Sequence, residues 1–247
     1  MVINHRSPVG YLPQHTSRPW LFSIFVSMWL IFGEGIHVIA ALEWSVPKNL
    51  GMIVNSSALD WQPNISADGL SLYFSSDRDA GEGFSDLWLT TRATTSDPWG
   101  MPENLGPTVN GSDDEYGPSI SSDGLSLYFS SWRSGNLDLW VTTKPALADP
   151  WSPPENLGAT VNSTALDTRP SISADHLSLF FDSTRSNGSG SNDLWLSTRA
   201  STSDPWGMPM NLGPTVNSSQ LDVHPNISTD GLSLNFASHR SGGFGKS

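Results

Sequence analysis

The sequence contains no cysteine, which removes disulfides, thiolate metal sites and thiol nucleophiles together. Basic residues are scarce. Twelve Lys plus Arg stand against 24 Asp plus Glu, a net charge of −12, so the backbone of DNA or RNA is not an expected partner. Charged residues make up only 15% of the chain, too few for a coiled coil. Beyond the first forty residues no stretch carries a helical period of useful length, which argues against a helical bundle. The abundant residues are 22 Gly, 18 Pro and many Ser, Thr and Asn, together with 11 Trp and 10 Phe. That is too aromatic for a disordered chain and suits many short strands joined by frequent turns.

The first forty residues read as an address. Residues 1–19 carry Arg6 and Arg18 and no acid, and an apolar run follows from Trp20 to Phe32. Gly33-Glu34-Gly35 and then Val38-Ile39-Ala40 complete the pattern of a secretory signal peptide cut after Ala40. The alternative is an uncleaved N-terminal anchor. It would have to take Glu34 and His37 into the membrane span, where a carboxylate is costly. Either way the expected location is outside the cytoplasm, and the lack of cysteine is compatible with a bacterial envelope or periplasm.

The rest of the chain, residues 41–247, is organised by a repeat. The segment Pro63 to Phe74 (PNISADGLSLYF) recurs from Pro118, Pro170 and Pro225, at intervals of 55, 52 and 55 residues. A second block, Asp86 to Arg92 (DLWLTTR), recurs from Asp138 and Asp193. A third runs from Asp97-Pro98-Trp99 through Asn104-Leu105-Gly106 to Val109-Asn110. It recurs around Trp151 and Trp206, with a shortened copy over Trp44 to Asn55. Each unit reads as four strands: Pro-x-Ile-Ser as strand A, Leu70 to Ser75 as B, Leu87 to Leu89 as C, and the Asn-Leu-Gly block as D. Asp-Gly supplies the A-to-B turn. Four-stranded units at this period predict an all-β fold, a β-propeller.

The strings ISADGLSLYFSSDR, DLWLTTR, PENLG and VN resemble the WD40-like propeller repeats of the Tol-type periplasmic family. The resemblance runs from Trp44 to Ser247. It implies an extracytoplasmic, mostly non-enzymatic interaction module. The count departs from the family pattern, with one D-type block, three full units and a final A–B pair. The expected architecture is therefore a propeller that is incomplete or truncated at its C-terminus. Open blade edges favour self-association between chains as an alternative.

A repeat separates scaffold from site, because residues copied in every unit build blades whereas a single site needs residues that are not copied. Asp68, Asp123, Asp175 and Asp230 share one position in the turn and are expected to be structural. Arg78, Arg133, Arg185 and Arg240 share another, where a fork of donors can tie neighbouring loops to a carboxylate. A third set, Asp60, Glu115, Asp167 and Asp222, precedes the opening prolines and is expected to ring the channel mouth as an acidic rim, unless each acid pairs with one of those arginines. Trp61, Tyr116, Arg169 and His224 stand near the same prolines but differ between units. They are the candidate ligand anchors, on the face opposite Thr95 and the Asp-Gly turns.

Chemistry beyond binding finds few signals. Neither Gly-x-Ser-x-Gly nor His-Glu-x-x-His occurs. No cofactor is expected. Ca²⁺ at Asp113-Asp114-Glu115 is the one alternative, without a loop of defined ligand spacing. The expected function is binding or scaffolding of an envelope protein or glycan through one loop face. The rival is a carbohydrate-active hydrolase at the channel mouth, with Glu115 and either Asp167 or Asp60 as its carboxylate pair.

Overall fold

The computed structural model describes residues 2–3 and 45–242. The expected leader falls outside the described residues except for Val2–Ile3. The chain divides into two units, Val2–Asn49 and the chain from Leu50 onward. In the first, β1 (Val2–Ile3) pairs antiparallel with β2 (Lys48–Asn49), so the shortened D-type block has a two-residue partner.

The second unit is all-β and built of antiparallel four-stranded blades. Blade 1 is β3 (Asp60–Ile65), β4 (Ser71–Ser76), β5 (Asp86–Thr91) and β6 (Glu103–Asn104). Blade 2 is β7 (Glu115–Ile120), β8 (Ser126–Ser131), β9 (Asp138–Thr143) and β10 (Glu155–Asn156). Blade 3 is β11 (Asp167–Ile172), β12 (Ser178–Ser183), β13 (Asp193–Thr198) and β14 (Met210–Asn211). A two-stranded sheet of β15 (Asp222–Ile227) and β16 (Leu234–Ser238) follows. In every full blade the strands lie in chain order, and the first strand of each blade packs against the first strand of the next. This is the arrangement of an incomplete propeller, with strand A innermost.

The cores lie between blades. Leu87, Val109, Leu127 and Phe129 pack together between blades 1 and 2, and Leu139, Val161, Leu179 and Phe181 between blades 2 and 3. A blade sandwiched in this way buries both faces, which is why β4 is closed from Leu72 through Ser76 despite its alternating sequence.

Strand D is only two residues long, and an asparagine completes its pairing. The Leu87 N–H donates to Asn110 Oδ1 at 2.9 Å, while Asn110 Nδ2 donates to the Leu87 carbonyl at 3.1 Å and to Asn104 Oδ1 at 2.8 Å. Asn162 and Asn217 bond Leu139 and Leu194 in the same way. These three amides lie in Asn-x-Ser/Thr sequons, yet they are buried and fully used in the folded chain.

The copied charges are also scaffold. Arg78 Nη2 reaches Asp60 Oδ1 at 2.5 Å and the Val54 carbonyl at 2.8 Å, and its guanidinium stacks over Phe74 and Trp88. Arg133–Glu115, Arg185–Asp167 and Arg240–Asp222 repeat the pair at 2.8, 2.5 and 2.7 Å. The four acidic side chains are 4, 0, 0 and 0% exposed. They form no acidic rim: the expectation of free carboxylates at the channel mouth is corrected here. Each carboxylate is instead held by an arginine and a serine, because an unpaired buried charge would be costly.

The turn aspartates behave as expected. Asp68 Oδ1 accepts from Ser66 Oγ at 2.5 Å and from the Leu70 N–H at 2.9 Å, and Gly69 takes the left-handed φ of +73° that such a turn requires. In the third unit His176 holds that conformation, at φ +62°.

The ion pairs predict a pH response. Burial raises the Asp222 carboxyl, but hydrogen bonds from Arg240, Ser238 and Ser218 outweigh it and hold the pKa at about 2, below the ordinary 3.8. A depressed folded value contributes stability that is complete above the unfolded pKa and is lost as pH falls through the folded one. Urea midpoints should therefore fall between pH 4 and pH 2, and Asp222→Asn should flatten that acid limb. An unchanged limb in the variant would exclude Asp222 as a contributor.

Candidate functional site

Strand A carries an irregularity in every unit. Its register against strand B slips between Trp61 and Asn64, Tyr116 and Ser119, Thr168 and Ser171, and Val223 and Asn226. At each slip the residue before the opening proline is left-handed: Gln62 at φ +52°, Gly117 at +59°, Arg169 at +54° and His224 at +58°. Only Gly117 adopts that conformation without strain, so three non-glycine residues are held there by their surroundings. The holding bond comes from the preceding blade in three of the four units. The N–H of Gly117 donates to Ser75 Oγ, that of Arg169 to Ser130 Oγ and that of His224 to Asp182 Oδ1, at 3.1, 2.8 and 3.0 Å. The bulge re-aims the strand at these positions, and Gln62, Arg169 and His224 line a common space.

All four candidate anchors line one pocket of about 350 Å³. Trp61 and Tyr116 form its aromatic wall, with ring centroids 6.3 Å apart and planes at 29°. Leu137, from a loop that differs between units, adds apolar surface, and Gln62, Thr168, Arg169 and His224 complete the lining. A second cavity, of about 220 Å³, is lined by the four opening prolines, Pro63, Pro118, Pro170 and Pro225, among others. Gln62, Arg169 and His224 border both spaces.

The polar side of the pocket is organised by one buried acid. Asp182 is fully buried. It accepts from Thr168 Oγ1 at 2.5 Å, Arg169 Nη1 at 3.0 Å and Asn192 Nδ2 at 3.2 Å, besides the His224 N–H. Burial pushes its carboxyl above the usual carboxylate range, against the pull of Arg169 and Thr168. His224 stands at the rim, where the buried part of its ring and the neighbouring Arg169 charge lower its pKa to about 4, so it is neutral at pH 7. Tyr116 donates to Asp114 Oδ2 at 2.8 Å, which fixes its ring; burial and that acid raise its pKa.

In the sequence Gln62 and Thr168 stand in the variable pairs before the prolines and Leu137 ends a variable loop, though none is read there as an anchor; Asp182 is not singled out. The signal for Asp182 was present, since Ser75 and Ser130 occupy its position in the other full blades. On the opposite face, Ser122 and His176 are also singular. There the Ser122 hydroxyl gives its one proton to the Ala174 carbonyl at 2.8 Å, so His176 Nε2, 2.9 Å away, donates to Ser122. Asp123 lies 3.8 Å from His176 Nδ1. The group clamps two turns together and does not activate a nucleophile. Among the described residues no group of three or more His, Asp or Glu is placed to hold a metal ion.

No protein-family model and no curated protein matches the chain. Solved structures do. TolB from Acinetobacter baumannii is 16% identical with a TM-score of 0.52, over 80% of this chain and 41% of that one. A putative TolB from Agrobacterium tumefaciens is 18% identical with a TM-score of 0.50, over 74% and 56%. An α-L-arabinofuranosidase from Lactobacillus brevis is 14% identical with a TM-score of 0.51, over 78% and 71%. The chain thus spans 41 and 56% of the two TolB chains, and the likeness is one of fold. That fold serves a TolB and a glycoside hydrolase alike.

Proposed function

We propose that the chain is a non-enzymatic, extracytoplasmic binding module of the cell envelope that holds its ligand in the pocket of Trp61, Tyr116, Arg169 and His224. One observation carries this reading: the residues that escape the repeat converge on one pocket. Convergence of uncopied side chains from four units on one space points to a site rather than to neutral drift. The leader pattern and the fold shared with TolB support export.

Burial of the copied carboxylates favours binding over hydrolysis. Glycoside hydrolysis needs two acids facing one bond. Asp60, Glu115 and Asp167 are instead spent on arginines, and none of the side chains lining the pocket is acidic.

The test is a fragment screen by ligand-observed NMR on the folded chain. Hits should compete for one site, and Trp61→Ala or Tyr116→Ala should weaken them by about 2 kcal/mol, roughly thirtyfold. Thr95→Ala, beside the Asp-Gly turn of blade 1, should leave them unchanged. Equal loss in Thr95→Ala would refute the assignment. Glycan turnover that disappears in Glu115→Gln would replace it with the hydrolase.

A further inference from the structure

Resting on that pocket, we propose its ligand class: a flat apolar molecule ending in a carboxylate, its body against Trp61 and Tyr116 and its carboxylate on Arg169.

The guanidinium of Arg169 is half spent. Nη1 bonds Thr168 Oγ1 at 3.2 Å and Asp182 Oδ2 at 3.0 Å. Nε is buried without a partner, and among the described residues Nη2 has none either. Nε and Nη2 share one edge of the guanidinium, the edge that grips both oxygens of a carboxylate in parallel. A donor left unpaired in a protein interior is costly, and a ligand oxygen would relieve it.

Asp182 explains how that edge is presented. Docking of the next blade does not require an acid, since Ser75 and Ser130 take the corresponding N–H groups with hydroxyls. The acid in blade 3 holds Nη1 and leaves Nε and Nη2 unpaired, a positioning role. Among the described residues lining the pocket, Arg169 is the one Lys or Arg. The pocket lining contains no carboxylate to compete for it, and the aromatic wall and Leu137 suit a planar apolar body. A space of about 350 Å³ admits a bicyclic acid.

Such a carboxylate could belong to a free aromatic acid or to the C-terminus of a peptide ending in an aromatic residue. Calorimetry with 2-naphthoate, 2-naphthamide and N-acetylphenylalanine separates these. The naphthoate should bind at least about tenfold tighter than the isosteric amide, as a charge-assisted pair requires. N-acetylphenylalanine binding tighter than naphthoate identifies a peptide C-terminus, and the reverse a free acid. Either order supports the carboxylate.

Asp182→Ser restores the residue used by the other blades and releases Nη1. Naphthoate should then bind at least roughly threefold more weakly with the naphthamide affinity kept, because the guanidinium loses the group that aims it, whereas a purely structural role for Asp182 would weaken both alike. Asp182→Ser combined with Arg169→Gln should bind acid and amide equally, with the amide affinity kept. Equal binding of acid and amide by the unaltered chain would overturn this inference and leave the pocket reading standing. So would an unchanged acid preference in Asp182→Ser, or a preference that survives in the double variant. If neither naphthoate nor naphthamide binds, and fragment hits ignore Trp61→Ala, both readings fall.

Discussion

Asp167→Ala should cost the fold about 3–5 kcal/mol, the range for removing one partner of a buried ion pair. The loss exceeds that of a single hydrogen bond because of what is left behind. Asp167 accepts from Arg185 at 2.5 Å and from both the N–H and the hydroxyl of Ser163, at 2.6 and 2.8 Å. Without it the Arg185 guanidinium, with its side chain only 14% exposed, stays wedged over Phe181 and Trp195 with one carbonyl, that of Val161, and the Ser183 hydroxyl. Urea unfolding measures the loss. Asp167→Ala with Arg185→Met should recover part of it, since the stranded charge is gone. If Asp167→Ala costs no more than Asp68→Ala, a turn residue with about 1 kcal/mol at stake, the ion pair does not hold the blade.

Asn110→Ala should cost about 2 kcal/mol through a different route. The side chain acts as a missing piece of strand D, and its loss orphans the N–H of Leu87, which is fully buried, while the Leu87 carbonyl keeps the Leu105 N–H at 3.1 Å. Each unsatisfied group costs about 1–3 kcal/mol. Hydrogen exchange at the Leu87 amide gives the local readout and should accelerate by orders of magnitude. Asn110→Asp keeps the acceptor for that amide and loses the donors, so it should fall between. Unaltered exchange in Asn110→Ala would mean that another group closes the strand.

Much of this was legible in the residues. The repeat gave the blades and their order, because strand, turn and strand recur at nearly constant spacing. Comparing units position by position was enough to isolate Trp61, Tyr116, Arg169 and His224, which line one pocket. The acids were harder. Their place at the start of strand A suggested the channel mouth, but a position along a strand does not fix the direction of its side chain. The decisive pattern was the constant separation of 18 residues between each acid and its arginine. The bulges were not legible, because nothing in Trp61-Gln62-Pro63 or Thr168-Arg169-Pro170 announces a left-handed residue. In three units a bond from the neighbouring blade takes the bulged N–H, but among the described residues Gln62 holds its φ of +52° without one, so the bulge belongs to the pairing of strands A and B. Asp182 escaped for the opposite reason: a serine-to-acid change inside a buried strand looks like scaffold variation until its partners are seen.

Each blade contributes to the pocket mainly through the two residues ahead of its first proline, while the residues that dock one blade on the next are nearly invariant. Recognition and assembly are therefore written in separable parts of the same unit. A chain built on this plan can alter what it holds by duplicating, deleting or exchanging whole units, because a transplanted blade brings its own wall and still docks. The pair formed by Arg169 and Asp182 sets the limit on that freedom. Both lie in blade 3, yet the acid takes the N–H of the unit after it and the arginine gives its own to the unit before. Blade 3 can move as a cassette with its charge pair intact, whereas a crossover inside it, between Arg169 and Asp182, would leave a buried charge with no counterpart.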